Sequence, residues 1–372
     1  MATQTERPSS PPIQSITSVG RLLIAVIGLT CAVLLTSQLA GSASSSAPIE
    51  ATGPGAGPDT LGAIETKSAV YDLVFDRERG RLWYAVFQTA EADYLYWADV
   101  RTRAGGSVEL PNVDTNGFTS QIEVAGDGAV WVTEPYALIR YWPDDGTLDV
   151  LTFQQPGSAE DGAAGLLPGT WISAIGVDGD NVVVSRNNIA YVEWVDPKLR
   201  LGRRMTVDVD HSGARSSAVV GSQIYLTAGY TSSAAVEALD LTDGSVRGAS
   251  TSATHLERMA AGVLASGSGV VYRLPGIERV DALTGGDEIA VATDSGDLVG
   301  ISALEALVEL VRPDGKIGWS IPLPTISSTV TNPLGQEVTI QAAHQLLALA
   351  VDDAGHVWYS DGSTLQIVEL GP

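Results

Sequence analysis

Short apolar runs with period-two alternation recur along most of this chain, each closed by a tight polar turn. A segment of the form turn–x–hydrophobic–aromatic or Val occurs seven times: RLWYAVF (81–87), AVWVTE (129–134), NVVVSR (181–186), QIYLTAG (223–229), VVYRLPG (270–276), DLVGIS (297–302) and HVWYSD (356–361). The matching positions are Trp83, Trp131, Val183, Tyr225, Tyr272, Val299 and Trp358. They span 275 residues in six steps, and the resulting average, near 46, is the period of a four-stranded propeller blade rather than of a helical repeat. The fifth step is 27 residues and the sixth 59, so an abbreviated strand or turn is expected there. Seven blades are predicted, with six as the alternative.

Each repeat is usually preceded by an apolar strand and a Gly/Asp turn, as in IEVAGDGAV and ALAVDDAGHV, and followed by a third strand, a second turn and a fourth strand, as in LIRYWPDDGTLDVLTF. Gly and Asp supply the positive φ and side-chain capping that tight hairpins need. After HVWYSDG only STLQIVELGP remains, enough for a third strand. An unpaired outer edge invites aggregation, and LGAIETK (61–67) is the spare strand that fills it. The sequence therefore predicts that 61–67 pairs with 364–370 and closes the ring.

Composition agrees with an all-β reading: forty Gly punctuate strand-forming Val, Ile, Thr, Tyr and Trp. Before residue 61 the pattern changes. Leu22–Thr36 is an apolar run preceded by Arg21 and followed by a Ser-, Gly- and Pro-rich stretch. The chain divides into a cytoplasmic tail (1–21), a transmembrane anchor or signal peptide (22–39), a flexible linker (40–60) and the propeller (61–372). With Ser37, Gln38 and Leu39 the run just crosses a ~30 Å hydrocarbon layer at ~1.5 Å per residue. Gly41, Ser42 and Ala43 offer small residues for cleavage instead. Either outcome leaves the propeller outside a bacterial cytoplasmic membrane, tethered or secreted.

Charge removes one class of partner. The chain has 44 Asp and Glu against 21 Lys and Arg, a net charge of −23, and no basic cluster interrupts that field, so nucleic acid is disfavoured. The only cysteine is Cys31, within the apolar run, so the propeller has neither disulfide nor thiol chemistry. No cofactor is indicated by a phosphate-cradling loop, a zinc spacing or a G-x-S-x-G elbow.

In a four-stranded blade the turns between first and second, and third and fourth, strands share one face of the disc. The opposite face holds the longer segments 153–171, ending in Trp171, and 325–343. Long loops on a rigid scaffold concentrate binding, so this is the expected working face. Second strands end there with Glu134, Arg186, Arg273 and Asp361, and first strands start near His255 and His344. With Trp171 these are the candidate ligand-binding residues around the channel mouth; each is otherwise a solvated loop residue or an inter-blade ion pair.

AVWVTEPYALIRYWPDDG (129–146) and HQLLALAVDDAGHVWYSDGSTLQIVEL (344–370) resemble the repeats of streptogramin (virginiamycin B) lyases and related NHL-type propellers, which read approximately H-x-I…dG-x-x-W-F-T-E. The resemblance implies a Mg²⁺-dependent elimination that opens a cyclic depsipeptide ester, with a His base and a nearby Glu supporting the metal. His344 falls near the His position and Asp361 at the Glu position, with three extra residues between them. His255 would be the second channel histidine, although Gly276 or Leu274 stands at the Glu position of that blade. Two readings result: a non-catalytic module that binds a ligand or surface protein, and, as the alternative, a Mg²⁺-assisted carbon–oxygen lyase.

Overall fold

The computed structural model describes residues 58–372 except 87–92, 112–120, 154–171, 180, 187–190, 207–215, 228–235, 250–252, 254, 260–261, 268–269, 277, 281–288, 303–305, 332–336, 344–347 and 372. The apolar run at 22–39 lies outside the described residues, among which no helix is long and apolar enough to cross a membrane. The described residues belong to the unit Ala51–Pro372.

The strands run in chain order as sequential antiparallel quartets. β1 is Thr60–Glu65. Blade 1 comprises β2 (Val70–Asp76), β3 (Arg81–Val86), β4 (Tyr94–Asp99) and β5 (Gly105–Glu109); blade 2 comprises β6 (Gln121–Val124), β7 (Val130–Glu134), β8 (Ala137–Trp142) and β9 (Thr147–Thr152). Blade 3 comprises β10 (Ile172–Asp178), β11 (Asn181–Arg186), β12 (Tyr191–Val195) and β13 (Leu201–Thr206); blade 4 comprises β14 (Ser217–Val220), β15 (Gln223–Thr227), β16 (Val236–Asp240) and β17 (Val246–Ala249). Blade 5 holds β18 (His255–Met259), β19 (Gly262–Gly267), β20 (Val270–Leu274) and β21 (Glu278–Val280); blade 6 holds β22 (Ile289–Ala292), β23 (Leu298–Ser302), β24 (Leu307–Val311) and β25 (Ile317–Pro322). A separate two-stranded ribbon follows, β26 (Thr325–Thr331) with β27 (Glu337–Ala343). Blade 7 is β28 (Leu349–Val351), β29 (His356–Asp361) and β30 (Thr364–Glu369), completed by β1.

Thus there are seven blades, and the two ends of the domain share the last one. β1 pairs antiparallel with β30 from Thr60↔Val368 to Glu65↔Thr364, as the missing fourth strand requires. First strands contact both neighbouring first strands, including β28 with β2, and so close a ring around the axis.

Packing is between blades rather than at a common centre. Seven apolar clusters each span one junction: Trp83 and Leu95 of blade 1 meet Ile122 and Val132 of blade 2, and Trp358 and Ile367 of blade 7 meet Val70 and Leu82 of blade 1. A blade is therefore covered on both faces near the axis and emerges into water at the rim. Burial records this gradient in blade 2, where β7 is buried throughout, β8 alternates at its outer end and β9 is partly exposed along its length. The continuous apolar run of a second strand is the pattern of a strand covered on both sides.

Turns between first and second strands repeat one geometry. In the 125–129, 293–297 and 352–356 turns the first residue's N–H donates to the last carbonyl, and a Gly in the left-handed region precedes that last residue, at φ 81° for Gly128, 85° for Gly296 and 79° for Gly355. A Cβ there costs backbone strain, which is why Gly recurs at this position.

Two sequence expectations change. VVYRLPG is the third strand of blade 5, not the second; the second is β19, which has no aromatic residue. Counting from Leu264 in β19 removes the short 27-residue step. The long sixth step arises because 325–343 is not an open loop: it holds the β26–β27 ribbon, inserted between blades 6 and 7. Residues 154–171, the other long connection, lie outside the described residues.

Candidate functional site at the channel mouth

A first strand has β-ladder partners on one side only. Its other edge faces the channel and the next blade, where its amides need acceptors. Side chains of the preceding blade supply them at four junctions. Asp72 Oδ2 accepts from the Ile122 amide, Gln121 Oε1 from Ile175 at 3.0 Å, Ser216 Oγ from Leu256 at 3.0 Å and Ser266 Oγ from Ala290 at 3.1 Å. Polar residues at or near the start of first strands, and Ser266 of the second strand β19, thus have a structural use before any ligand is considered.

Between these strands lies a cavity of about 110 Å³ lined on its polar side by Asp72, Gln121, Glu123, His255, Glu257 and Arg258. Its apolar side is formed by residues such as Ala218, Ile289, Ala348 and Leu349. Gln121 and His255 open β6 and β18; Glu123 and Glu257 stand two residues further in, and Asp72 is the third residue of β2. Period-two alternation puts first and third residues on one side of a strand, so the polar groups form two tiers descending from the mouth.

The contacts define the charge balance. Gln121 Nε2 donates to Glu123 Oε1 at 3.2 Å, and His255 Nε2 lies 3.6 Å from Glu257 Oε2. The Arg258 guanidinium donates to the Val177 carbonyl at 3.1 Å and pairs with Asp178, so it is shared with blade 3. Three carboxylates therefore share the cavity with an arginine already engaged elsewhere. Burial pushes the Asp72 carboxyl up to about 6, against the pull of its two backbone hydrogen bonds and of His255. Burial, then the nearby Glu257 and Asp72, raise the Glu123 carboxyl well above the ordinary carboxylate range. Desolvation and like charge both disfavour the ionised form.

The sequence-predicted residues divide. His255 opens β18 and lines the cavity. Glu134 ends β7 but is only 1% exposed, so it is a buried group and not a solvent-facing one. Asp361 ends β29, is half-buried and accepts from Gln366 Nε2 at 3.4 Å. Arg186 ends β11 opposite Ile172, on the mouth face. Arg273 belongs to the third strand β20, paired with Leu264 and Glu278, and so runs toward the opposite, hairpin-turn face. His344 and Trp171 lie outside the described residues. Sequence reasoning missed Asp72, Gln121, Glu123 and Glu257. The available signal was a polar or charged residue inside an inner apolar strand, YDLVF, QIEV and HLERM.

A Mg²⁺ centre of the lyase kind needs several oxygen ligands around one point. Asp361 faces a glutamine amide, and among the described residues no group of three or more His, Cys, Asp or Glu is placed to hold a metal ion. The described residues do not fit such a centre.

No family model and no curated protein matches this chain. Solved structures do share its architecture. A chain of the mitotic checkpoint complex has a TM-score of 0.60 at 8% identity, over 89% of this chain and 100% of that one. The WD40 β-propeller domain of Doa1 has a TM-score of 0.58 at 8% identity, over 84% and 97%. Virginiamycin B lyase from Staphylococcus aureus is 10% identical over 83% and 98% of the two chains, with a TM-score of 0.46. The first two likenesses concern the β-propeller fold alone, and the third bears on no chemistry.

Proposed function

We propose that this protein is a non-catalytic binding module, a propeller carried outside the cytoplasmic membrane by its N-terminal segment, that takes a ligand or a surface protein on the face where first strands begin. The observation that carries this reading is the asymmetry of the two faces. Among the described residues, one face presents short hairpin turns held by their own backbone and Asp side-chain bonds, as at 125–129, 240–245 and 312–316. The other has the channel cavity with its two tiers of polar groups and the ribbon inserted between blades 6 and 7. Concave polar-lined openings and inserted segments on a rigid scaffold are where recognition concentrates.

Photocrosslinking in expressing cells tests the face. A crosslinking amino acid at exposed Ser363, in the turn joining β29 to β30, or at Thr325 should capture a partner, whereas one at exposed Glu78, in the turn joining β2 to β3, should not. Adducts formed only from Glu78 would reverse the assignment. Membrane fractionation with sequencing of the mature N-terminus tests the tether: the expected product is membrane-bound with residues 22–39 intact, and soluble protein beginning near Ser44 would make the segment a cleaved signal.

A further inference from the structure

Among the described residues, the β26–β27 ribbon is the one sheet of two strands. Its seven residue pairs run without interruption from Thr325↔Ala343 to Thr331↔Glu337, and among the described residues neither strand is hydrogen-bonded to a third. An isolated two-stranded hairpin is at best marginally stable, and a third strand is what ordinarily secures it. Elsewhere the outer edges are guarded in the ways natural sheets use. Asp149 lies in β9, Arg203 and Arg204 in β13, Arg247 in β17, Glu278 and Arg279 in β21, and Glu109 in β5. β13, β25 and β1 pair with a register shift, and β25 ends in Pro322. The ribbon strands, TISSTVT and EVTIQAA, contain no proline, no lysine, no arginine and no register shift, and Glu337 is their one charged residue. They are rich in β-branched residues, which favour strand pairing.

Charge selects the occupant. The chain carries −23, so a second copy or an acidic segment approaches against repulsion, and a basic segment is drawn in. From the unguarded ribbon and this field we infer that β26–β27 is a strand-addition site, receiving an extended, net-positive segment of a second protein as the third strand of a mixed sheet. Backbone pairing supplies affinity in such additions, and side chains on alternate positions supply selectivity. The inference rests on the binding-module reading above and specifies its partner.

The probe is a synthetic ten-residue peptide alternating Val or Thr with Lys, titrated onto the full chain. Three companions accompany it: the same peptide with alternate backbone amides N-methylated, a version with Glu in place of Lys, and a protein whose residues 327–341 are replaced by a Gly-Asn-Gly turn. The Lys peptide should bind, weaken at least tenfold on N-methylation and again on shortening the ribbon, and lose affinity as salt rises. The shortened protein should melt within a few degrees of the parent, because among the described residues no blade sheet includes the ribbon strands. Absence of binding, equal binding by the N-methylated peptide, or undiminished binding to the shortened protein would each overturn the inference. Concentration-dependent dimerisation abolished by the shortening would assign the edge to a second copy instead. Crosslinks from Ser363 that persist in the shortened protein would preserve the face and reject the ribbon; loss of all mouth-face crosslinks in the parent protein would reject both.

Discussion

Asp72 shows how one residue ties the channel to the fold. Its carboxylate accepts the Ile122 amide of the next blade and the Leu73 amide of its own, yet burial lifts its titration to about 6 from the ordinary 3.8. A carboxyl raised in the folded state favours folding fully below the unfolded value, near pH 4, and loses that contribution as pH rises through 6. At about 1.4 kcal/mol per unit the contribution is at most about 3 kcal/mol. Asp72→Asn keeps an oxygen for Ile122 and cannot ionise, so its unfolding free energy should vary less between pH 4 and pH 7 than the parent's, by up to about 3 kcal/mol. Denaturant unfolding at the two pH values measures this, and identical slopes for both proteins would refute it. Asp352 acts at the other face. It accepts from the Ala354 and His356 amides, His356 Nδ1 and Trp358 Nε1, the last at 3.0 Å, and Trp358 is fully buried. Asp352→Ala orphans an indole N–H inside the blade 7–1 junction and should cost about 2–4 kcal/mol, read as a lowered denaturation midpoint. Both aspartates stand in the sequence within strand-and-turn segments, YDLVFD and AVDDAGH. Their roles differ because one faces a channel edge and the other a hairpin turn, which spacing alone does not distinguish.

At the scale of elements, β1 has the largest consequence for its length. It is the outer strand of blade 7, while the blade's other three strands come from the far end of the chain. Leu61 and Ile64 pack against the cluster that holds Trp358 and Leu365. Deleting 60–65 should lower stability by several kcal/mol through lost burial and expose β30 as an edge. A melting temperature unchanged by the deletion would contradict the closure. The junctions between blades are tight enough to read single atoms. At Gly176 in β10 a Cβ would stand 2.7 Å from Val219 Cγ2 and 3.3 Å from the Val219 nitrogen in β14, so Gly176→Val should force blades 3 and 4 apart at about 1–3 kcal/mol. Alternation and turn residues identify nearly all the strands of blades 1 to 4, 6 and 7. Blade 5 misleads because its third strand carries Tyr272 while its second, GVLASG, is small and aliphatic. An aromatic residue marks a packed position without saying which strand of the blade it occupies.

For the whole molecule, the chain's net charge of −23 implies self-repulsion that salt relieves. Its exposed pairs, such as Arg77 with Asp294 and Asp353, bridge blade 1 to blades 6 and 7 but are well solvated, and pairs of that kind contribute little. The melting temperature should therefore rise between 20 mM and 500 mM NaCl; a fall would mean that ion pairs across the junctions outweigh the repulsion. The sequence by itself determined the all-β class, the blade period, the hairpin turns and the closure by an N-terminal strand. Each of these follows from local periodicity, from glycine at positive φ, or from counting strands against a repeat. Tertiary structure alone decided the rest. Asp72 and Glu123 lie on blades 1 and 2, and His255 and Glu257 on blade 5, more than 130 residues further along the chain; they become neighbours only when seven first strands close around an axis. Glu134 ends a strand in the sequence much as Asp361 does, yet the blades packed around it bury it. The 325–343 segment reads as a polar loop because its Ser and Thr pattern fits a connection, and only its pairing in space makes it a two-stranded ribbon.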